Sequence, residues 1–430
     1  MKKRQKKNLI YFGITFLVVL VIGTIGLTVY KKAADRKAEE NGVRETLAGN
    51  MLSEEGLQEI ETDQDAEAGT PGPDDPETED DAATQDTENA GDDVSLQGDD
   101  DASLQGEDDA TGSVVLAFGG DVCFHDEYAN MCSLRQRGGK IESCIAPELL
   151  TQMRAADICM VNNEFSYSDR GTPIEGKAFT FRSKPENVKL LTDMGVDIVS
   201  LANNHAYDYG KDALLDSLEI LENEKVRYVG AGRNLEEASQ PVYFEVNSVR
   251  IGIVSATQIE RMDHPDTKGA TETEPGVLRC FSQQELDHFL SVVTQAKQQC
   301  DFLIAFLHWG TENTDELDWA QPYQADLISK AGADLIVGAH PHCLQGIDSV
   351  NGVPVIYSLG NYWFNSKALD TALLKVVVTA EKVESVQILP ARQENCSTSM
   401  LQDAEKQRVL DYLQSLSPNV TIDADGFVGW

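Results

Sequence analysis

Six short polar segments in this 430-residue chain carry side chains able to hold or activate a metal ion. They are Gly119-Gly120-Asp121, Asn162-Asn163-Glu164, Ala202-Asn203-Asn204-His205, His308-Trp309-Gly310, His340-Pro341-His342 and Ser358-Leu359-Gly360-Asn361. Four of the chain's seven histidines fall within them, a strong concentration. Two carboxylates, an amide and several imidazoles make a mixed oxygen and nitrogen ligand set. Imidazole suits Zn, Fe or Mn, and carboxylate suits harder ions such as Mg. A pair of cations about 3.5–4 Å apart also needs a bridging carboxylate. His340 and His342 stand at i and i+2 around Pro341, which stiffens the turn. An extended turn there would aim both rings at neighbouring positions of one cluster. Each residue alone has a plainer role. A lone Asp after a strand caps a helix or turn, a lone His is commonly a hydrogen-bonded structural residue, and Asn203-Asn204 tolerates the positive φ of a turn. The metal reading rests on the set, in order and at the ends of apolar runs.

Those runs are the elements that must position the set. Short buried strands are expected at 114–118, 158–161, 198–201, 251–255, 302–307, 335–337, 355–358 and 373–378. Helical patterns occupy 185–194, 211–223, 282–298 and 318–331, with a further helix at 402–416. Strand–helix alternation predicts an α/β fold with helices covering a largely parallel or mixed sheet. Most of the polar segments directly follow a strand, and the carboxyl ends of strands are where open α/β sheets bind ligands.

The segments GGD (119–121), NNE (162–164), SLANNHAYDYG (200–210), HWGTEN (308–313), GAHPHCLQG (338–346) and SLGNYWF (358–364) resemble the CapA family. These are poly-γ-glutamate capsule proteins related to calcineurin-like metallophosphoesterases. The resemblance covers roughly residues 113–380. It implies a four-layer α/β sandwich of two mixed sheets flanked by helices, with a metal site at the strand ends. It also implies that Asp121 and His342 serve one divalent cation and that Asn204, His308 and His340 serve a second. Glu164 takes the place of the bridging carboxylate, and His205 stabilises charge on the transferring group. Two departures stand out. The wider superfamily has Asp-x-His in its first motif, where this chain has Asp121-Val122-Cys123. Cys123 could ligate as a thiolate, His125 could fold back, or Cys123 could simply be buried. The acid that follows the motif histidine in that superfamily is replaced by Ala206. A mononuclear site therefore stays open, and one or two ions of Mn, Zn, Fe or Mg are expected.

The rest of the chain speaks to location. Lys2, Lys3, Arg4, Lys6 and Lys7 precede a charge-free run from Asn8 to Tyr30, and Lys31-Lys32 closes it. A helix over that run would span roughly 35 Å, enough for a bilayer core with some tilt. A cleaved signal peptide is the rival reading, but Tyr30-Lys31-Lys32 is a poor cleavage context. Five Lys or Arg before the run and four soon after it barely set an orientation. The short segment before the run and the long chain after it favour an extracytoplasmic C-terminal domain at the cell membrane. Between Glu54 and Asp109 there are 23 Asp or Glu and no Lys or Arg, well over half of the net charge of -37. Such a segment cannot bury enough surface to offset its ordering entropy and is expected to be a disordered tether. It contains the duplicated octapeptide 95–102 and 103–110. The acidity excludes a nucleic-acid partner. Eight cysteines show no CxxC spacing, which argues against a four-cysteine zinc site, and Cys132 with Cys144 is the best disulfide candidate.

The expected organisation is an anchor at 1–32, an acidic linker at 33–112, a CapA-like domain at 113–390 and a helical appendage at 391–430. The leading expectation is a metal-dependent hydrolase or transferase serving synthesis, export or attachment of an anionic surface polymer, with metal-activated water attacking a phosphoryl or acyl centre. The alternatives are a non-catalytic metal-holding subunit of a polymer synthase or export complex, favoured by the missing imidazole, and an envelope sensor domain.

Overall fold

In the computed structural model, residues 112–261, 265 and 267–430 are described. The expected anchor, linker and octapeptide repeat lie outside these residues. Among the described residues, no helix is long and apolar enough to cross a membrane.

The chain runs through β1 (Val114–Val122), α1 (Ala129–Gln136), α2 (Pro147–Ala155), β2 (Ile158–Asn163), α3 (Lys189–Met194), β3 (Ile198–Ser200), α4 (Gly210–Glu224) and β4 (Arg227–Val229). It continues with β5 (Val242–Val246), β6 (Val249–Thr257), α5 (Gln283–Lys297), β7 (Phe302–His308), α6 (Ala320–Ala331) and β8 (Leu335–Ala339). It ends with β9 (Ile347–Val350), β10 (Val353–Ile356), β11 (Asn361–Trp363), β12 (Leu369–Val378), β13 (Val383–Glu394), β14 (Ser397–Met400) and α7 (Asp403–Leu416). Shorter strands and helical turns lie between them.

Two mixed sheets result. One has the order β14-β13-β12-β1-β2-β3-β4, with β11 also paired to β1. The other has the order β9-β10-β8-β7-β6-β5. The central strands are parallel: β1 to β2, β2 to β3, β6 to β7 and β7 to β8. Their carboxyl ends therefore point the same way within each sheet.

The apolar runs read as unbroken because both faces of the strands are buried. Side chains alternate between faces along a strand, and here each face meets a different core. In β1, Ala117 and Val122 join one core while Val114, Leu116 and Phe118 join a second. In β7, Phe302, Ile304 and Phe306 join that second core while Leu303, Ala305 and Leu307 join a third. The first core is covered by α1 to α4 through residues such as Met131, Leu150, Leu191 and Leu218, and the third by α5 and α6 through Phe289, Val293 and Ile328. The second core lies between the two sheets.

The boundary expected at residue 390 falls inside β13. The helix expected as an appendage, α7, buries Val409, Leu410 and Leu413 in the second core. Its amphipathic face needs an apolar partner, and the edge of the inter-sheet core supplies one. The disulfide expected between Cys132 and Cys144 does not form, and all eight cysteines are free. Arg137 reaches the Cys144 sulfur and also bonds the Ser143 carbonyl, while Cys132 faces the carbonyls of Asp126 and Glu127.

Two glycines let the strands approach at the site. A Cβ on Gly120 would collide with the Gly360 carbonyl, and one on Gly338 with the Tyr357 carbonyl. The β1–β2 register slips between Phe118 and Asp121. Bulges of this kind re-aim a side chain. The slip sets Asp121 beside Asn162 on β2, and the separate pairing of β1 with β11 sets it beside Asn361.

Candidate metal centre

Asp121, Glu164, Asn204, His205, His308, His340 and His342 meet in one cluster, buried except for the half-buried His342. Ligand atoms of Glu164, His308 and His340 lie within 4.8 Å of one another, as do those of Asp121, Glu164 and His342. Glu164 belongs to both groups. Its Oε1 lies 3.8 Å from His308 Nε2, 3.8 Å from His342 Nε2 and 3.9 Å from His205 Nε2. It is buried, yet no hydrogen bond reaches it. His340 Nδ1 is likewise buried and unpartnered. An orphaned buried carboxylate oxygen and an orphaned imidazole nitrogen are costly unless a cation satisfies them. The donor set thus fits a divalent ion, with Asn204 Oδ1 adding an oxygen 2.8 Å from His308 Nε2.

The electrostatics carry the same demand. Burial pushes the Glu164 carboxyl well above the usual range; the His342 charge opposes this, and Asp121 and Glu312 add to it. Burial would lower His342, but Glu164 and Asp121 outweigh it and raise the ring to about 10. Two buried carboxylates thus recruit positive charge, either as a proton on His342 or as a cation that would displace that proton on binding. Burial and the neighbouring imidazoles hold His308 and His340 well below the usual histidine range. The neutral form so favoured is the one a metal ligand requires.

The turn after β8 is not extended, contrary to the sequence expectation. His340 has φ of +99° and His342 has φ of +57°. Such left-handed backbone at non-glycine residues persists where surrounding structure over-determines it. Here the His340 N–H donates to both oxygens of Asp121 at 3.3 Å, and His342 Nδ1 sits 2.9 Å from Asn361 Oδ1. The kinked turn leaves the His340 and His342 ring centroids 5.9 Å apart, one in each ligand group.

A second ring of polar residues, outside the expected ligand set, orients these side chains. Asn162 Nδ2 lies 2.7 Å from Asp121 Oδ1, 3.1 Å from Glu164 Oε2 and 3.2 Å from His308 Nδ1. Asn203 donates to Asn162 Oδ1 at 3.1 Å and accepts the His205 N–H at 3.0 Å. With Ala206 at the position after it, His205 meets a different acid, Asp208. Its Oδ2 lies 2.7 Å from His205 Nδ1 and also accepts the Phe181 N–H at 2.7 Å. The signal was legible as the i, i+3 spacing of His205 and Asp208. Burial holds His205 below the usual histidine range even though Asp208 opposes the shift.

Neither replacement for the missing first-motif imidazole joins the two ligand groups. Cys123 is fully buried in the first core, and burial pushes its thiol well above the ordinary value. His125 Nδ1 instead accepts the Arg182 N–H at 3.0 Å. A cavity of about 440 Å³ opens over the cluster, lined by Lys177, Asn204, His205, Glu312 and His340 among others.

Fold and cluster together define a mixed α/β protein with a carboxylate–imidazole centre at the carboxyl ends of its strands. The chain belongs to the bacterial capsule synthesis protein family PGA_cap, whose model matches residues 115–366. It is similar to the PGA biosynthesis protein CapA of Bacillus subtilis, 34% identical over 203 residues, which are 46% of this chain and 51% of that one. It is also similar to the capsule biosynthesis protein CapA of Bacillus anthracis, 30% identical over 231 residues, 53% of this chain and 55% of that one. The chain thus spans about half the length of the curated relatives it matches. Among solved structures, a hypothetical protein from Thermus thermophilus aligns at 14% identity and a TM-score of 0.39, over 65% of this chain and 99% of its own.

Proposed function

We propose that this protein is a membrane-anchored, extracytoplasmic, metal-dependent hydrolase or transferase. It acts in the synthesis, export or attachment of capsular poly-γ-glutamate or another anionic surface polymer. The single observation that carries the metal reading is Glu164 Oε1, buried without a hydrogen bond among three imidazole nitrogens 3.8–3.9 Å away. Asp121, Glu164 and His342 would hold one ion, and Glu164, Asn204, His308 and His340 the other. When bound, divalent cations supply Lewis acidity toward a phosphoryl or acyl group. His205 supplies proton chemistry at the cavity wall. Asp208 accepts its Nδ1 proton. That leaves Nε2 able to take a proton or, once charged, to give one. The anchor rests on the apolar run 8–30. The four-layer sandwich reading is supported by the three cores, one between the sheets and one under each helical layer.

A second reading, a non-catalytic metal-holding subunit of a synthase or export complex, is favoured by one observation. The first ion position draws no imidazole from its own motif, because Cys123 is held in the core. Purified full-length protein, loaded with Mn or Zn and offered simple phosphoesters and γ-glutamyl peptides, separates the two. Turnover that is lost in His205→Ala supports the enzyme. Full metal occupancy with no turnover of either substrate class supports the subunit.

A further inference from the structure

We infer that Lys177 is a substrate-contacting residue and forms, with His205, a subsite for a tetrahedral oxyanion on the wall of the cavity over the metal cluster. The inference rests on the metal-centre reading above. Lys177 lies in the segment between Tyr167 and Arg182 that crosses to the site. Its side chain is only 5% exposed. That is an unusual placement for an ammonium group. Nζ lies 2.8 Å from Asp208 Oδ1 and donates to the backbone carbonyl of Asn204. An ammonium has three N–H donors, and the one hydrogen bond it makes here, to the Asn204 carbonyl, leaves donors free for a ligand, since the contact with Asp208 Oδ1 is an ion pair without hydrogen-bond geometry. The residue lines the same cavity as His205, Asn204 and His340.

The plainer role is neutralisation of Asp208, whose buried charge would be costly alone. That role accounts for the ion pair. It does not account for a lysine, with a spare donor, at the wall of the cavity. A single cation here touches both the backbone of a candidate ion ligand, Asn204, and the acid that orients His205. It therefore stands on the cavity wall beside both His205 and a candidate ion ligand. A reacting group carrying developing negative charge would share its oxygens between the ions and fixed donors of this kind. Phosphoryl groups and tetrahedral acyl adducts share that chemistry. The neighbouring carboxylate of Glu312, also on the cavity wall, makes the fixed positive charge of Lys177 more necessary for an anionic group to enter.

The test uses full-length protein loaded with manganese, titrated with inorganic phosphate and separately with fluoride. The variants are Lys177→Met, Asp208→Asn and the double variant, which removes both partners of the ion pair and leaves no stranded carboxylate. Fluoride is monatomic and needs only the ions. The expected result is a loss of phosphate affinity of about 10- to 100-fold, the worth of one charge-assisted hydrogen bond. It should be seen in Lys177→Met against the parent, and in the double variant against Asp208→Asn, with manganese content and fluoride affinity unchanged. If Lys177→Met does not fold, the second comparison decides alone. Phosphate affinity that is unchanged, or that falls only in step with fluoride affinity and manganese content, overturns the inference and leaves Lys177 a neutralising residue. A parent protein that takes up none of manganese, zinc, iron or magnesium overturns the metal-centre reading itself, and this inference with it.

Discussion

Replacing Glu164 by Gln tests the centre at the residue common to both ligand groups. The substitution conserves volume and keeps an oxygen for the amide of Asn162, which now lies 3.1 Å from Glu164 Oε2. Without metal, the variant should therefore unfold within about 1 kcal/mol of the parent, as volume-conserving changes do. Its effect should appear only when metal is present. Loss of a residue that merely orients a ligand costs about 10–100-fold in metal affinity, so loss of a carboxylate shared by two positions should cost at least about 100-fold. An ion at 100 times its dissociation constant stabilises the folded state by about 2.7 kcal/mol. That corresponds to a rise of roughly 4 °C in Tm for a domain of about 320 residues. Thermal unfolding with and without manganese, paired with metal analysis of the dialysed protein, reads both quantities. The parent should show the rise, and Glu164→Gln should show almost none at the same metal concentration. A variant that keeps its full metal content and the full thermal shift would refute the bridging role and the argument from the orphaned oxygen.

Three further outcomes are expected. His205→Ala should keep its bound metal but lose turnover by about 10²–10⁴-fold, the usual worth of a positioned proton donor or acceptor, and equal loss of metal would contradict that role. Gly120→Ala should destabilise by about 1–3 kcal/mol, the usual cost of overpacking, because its Cβ meets the Gly360 carbonyl and the backbone there must move; an unchanged Tm would show that the close approach is not needed. A periplasmic- or surface-type activity reporter fused after Trp430 should be active outside the cytoplasm and sediment with membranes, whereas a soluble product beginning near Ala33 would point to a cleaved signal.

The ligand candidates were legible because they are punctuation. Each follows an apolar run that can only be a buried strand, and a carboxylate or imidazole at such a place stands out against its neighbours. The strands 302–307 and 335–337 were read to within two residues, since both faces are buried and the apolar run ends where the sheet ends. The same local logic misjudged residues 391–430. Polar and apolar residues alternate there without saying what they face, and only the packed molecule shows β13 running through residue 390 and α7 closing the inter-sheet core.

Sequence order determined which side chains could do chemistry and at which strand ends they stand. Tertiary structure alone decided their partners. Asn162 touches three of the site residues through one amide nitrogen. Asn361 holds His342 because β11 pairs with β1, a register between distant strands that no local pattern encodes. Lys177 and Asp208 meet only because the segment carrying the lysine folds over the cluster. The left-handed turns at His340 and His342 are held by Asp121 and Asn361, from other strands. The physical reason is the same in each case. A polar side chain taken out of water must be satisfied by whatever the fold brings to it, and hydrogen bonds between distant segments depend on register and approach, which local composition does not record.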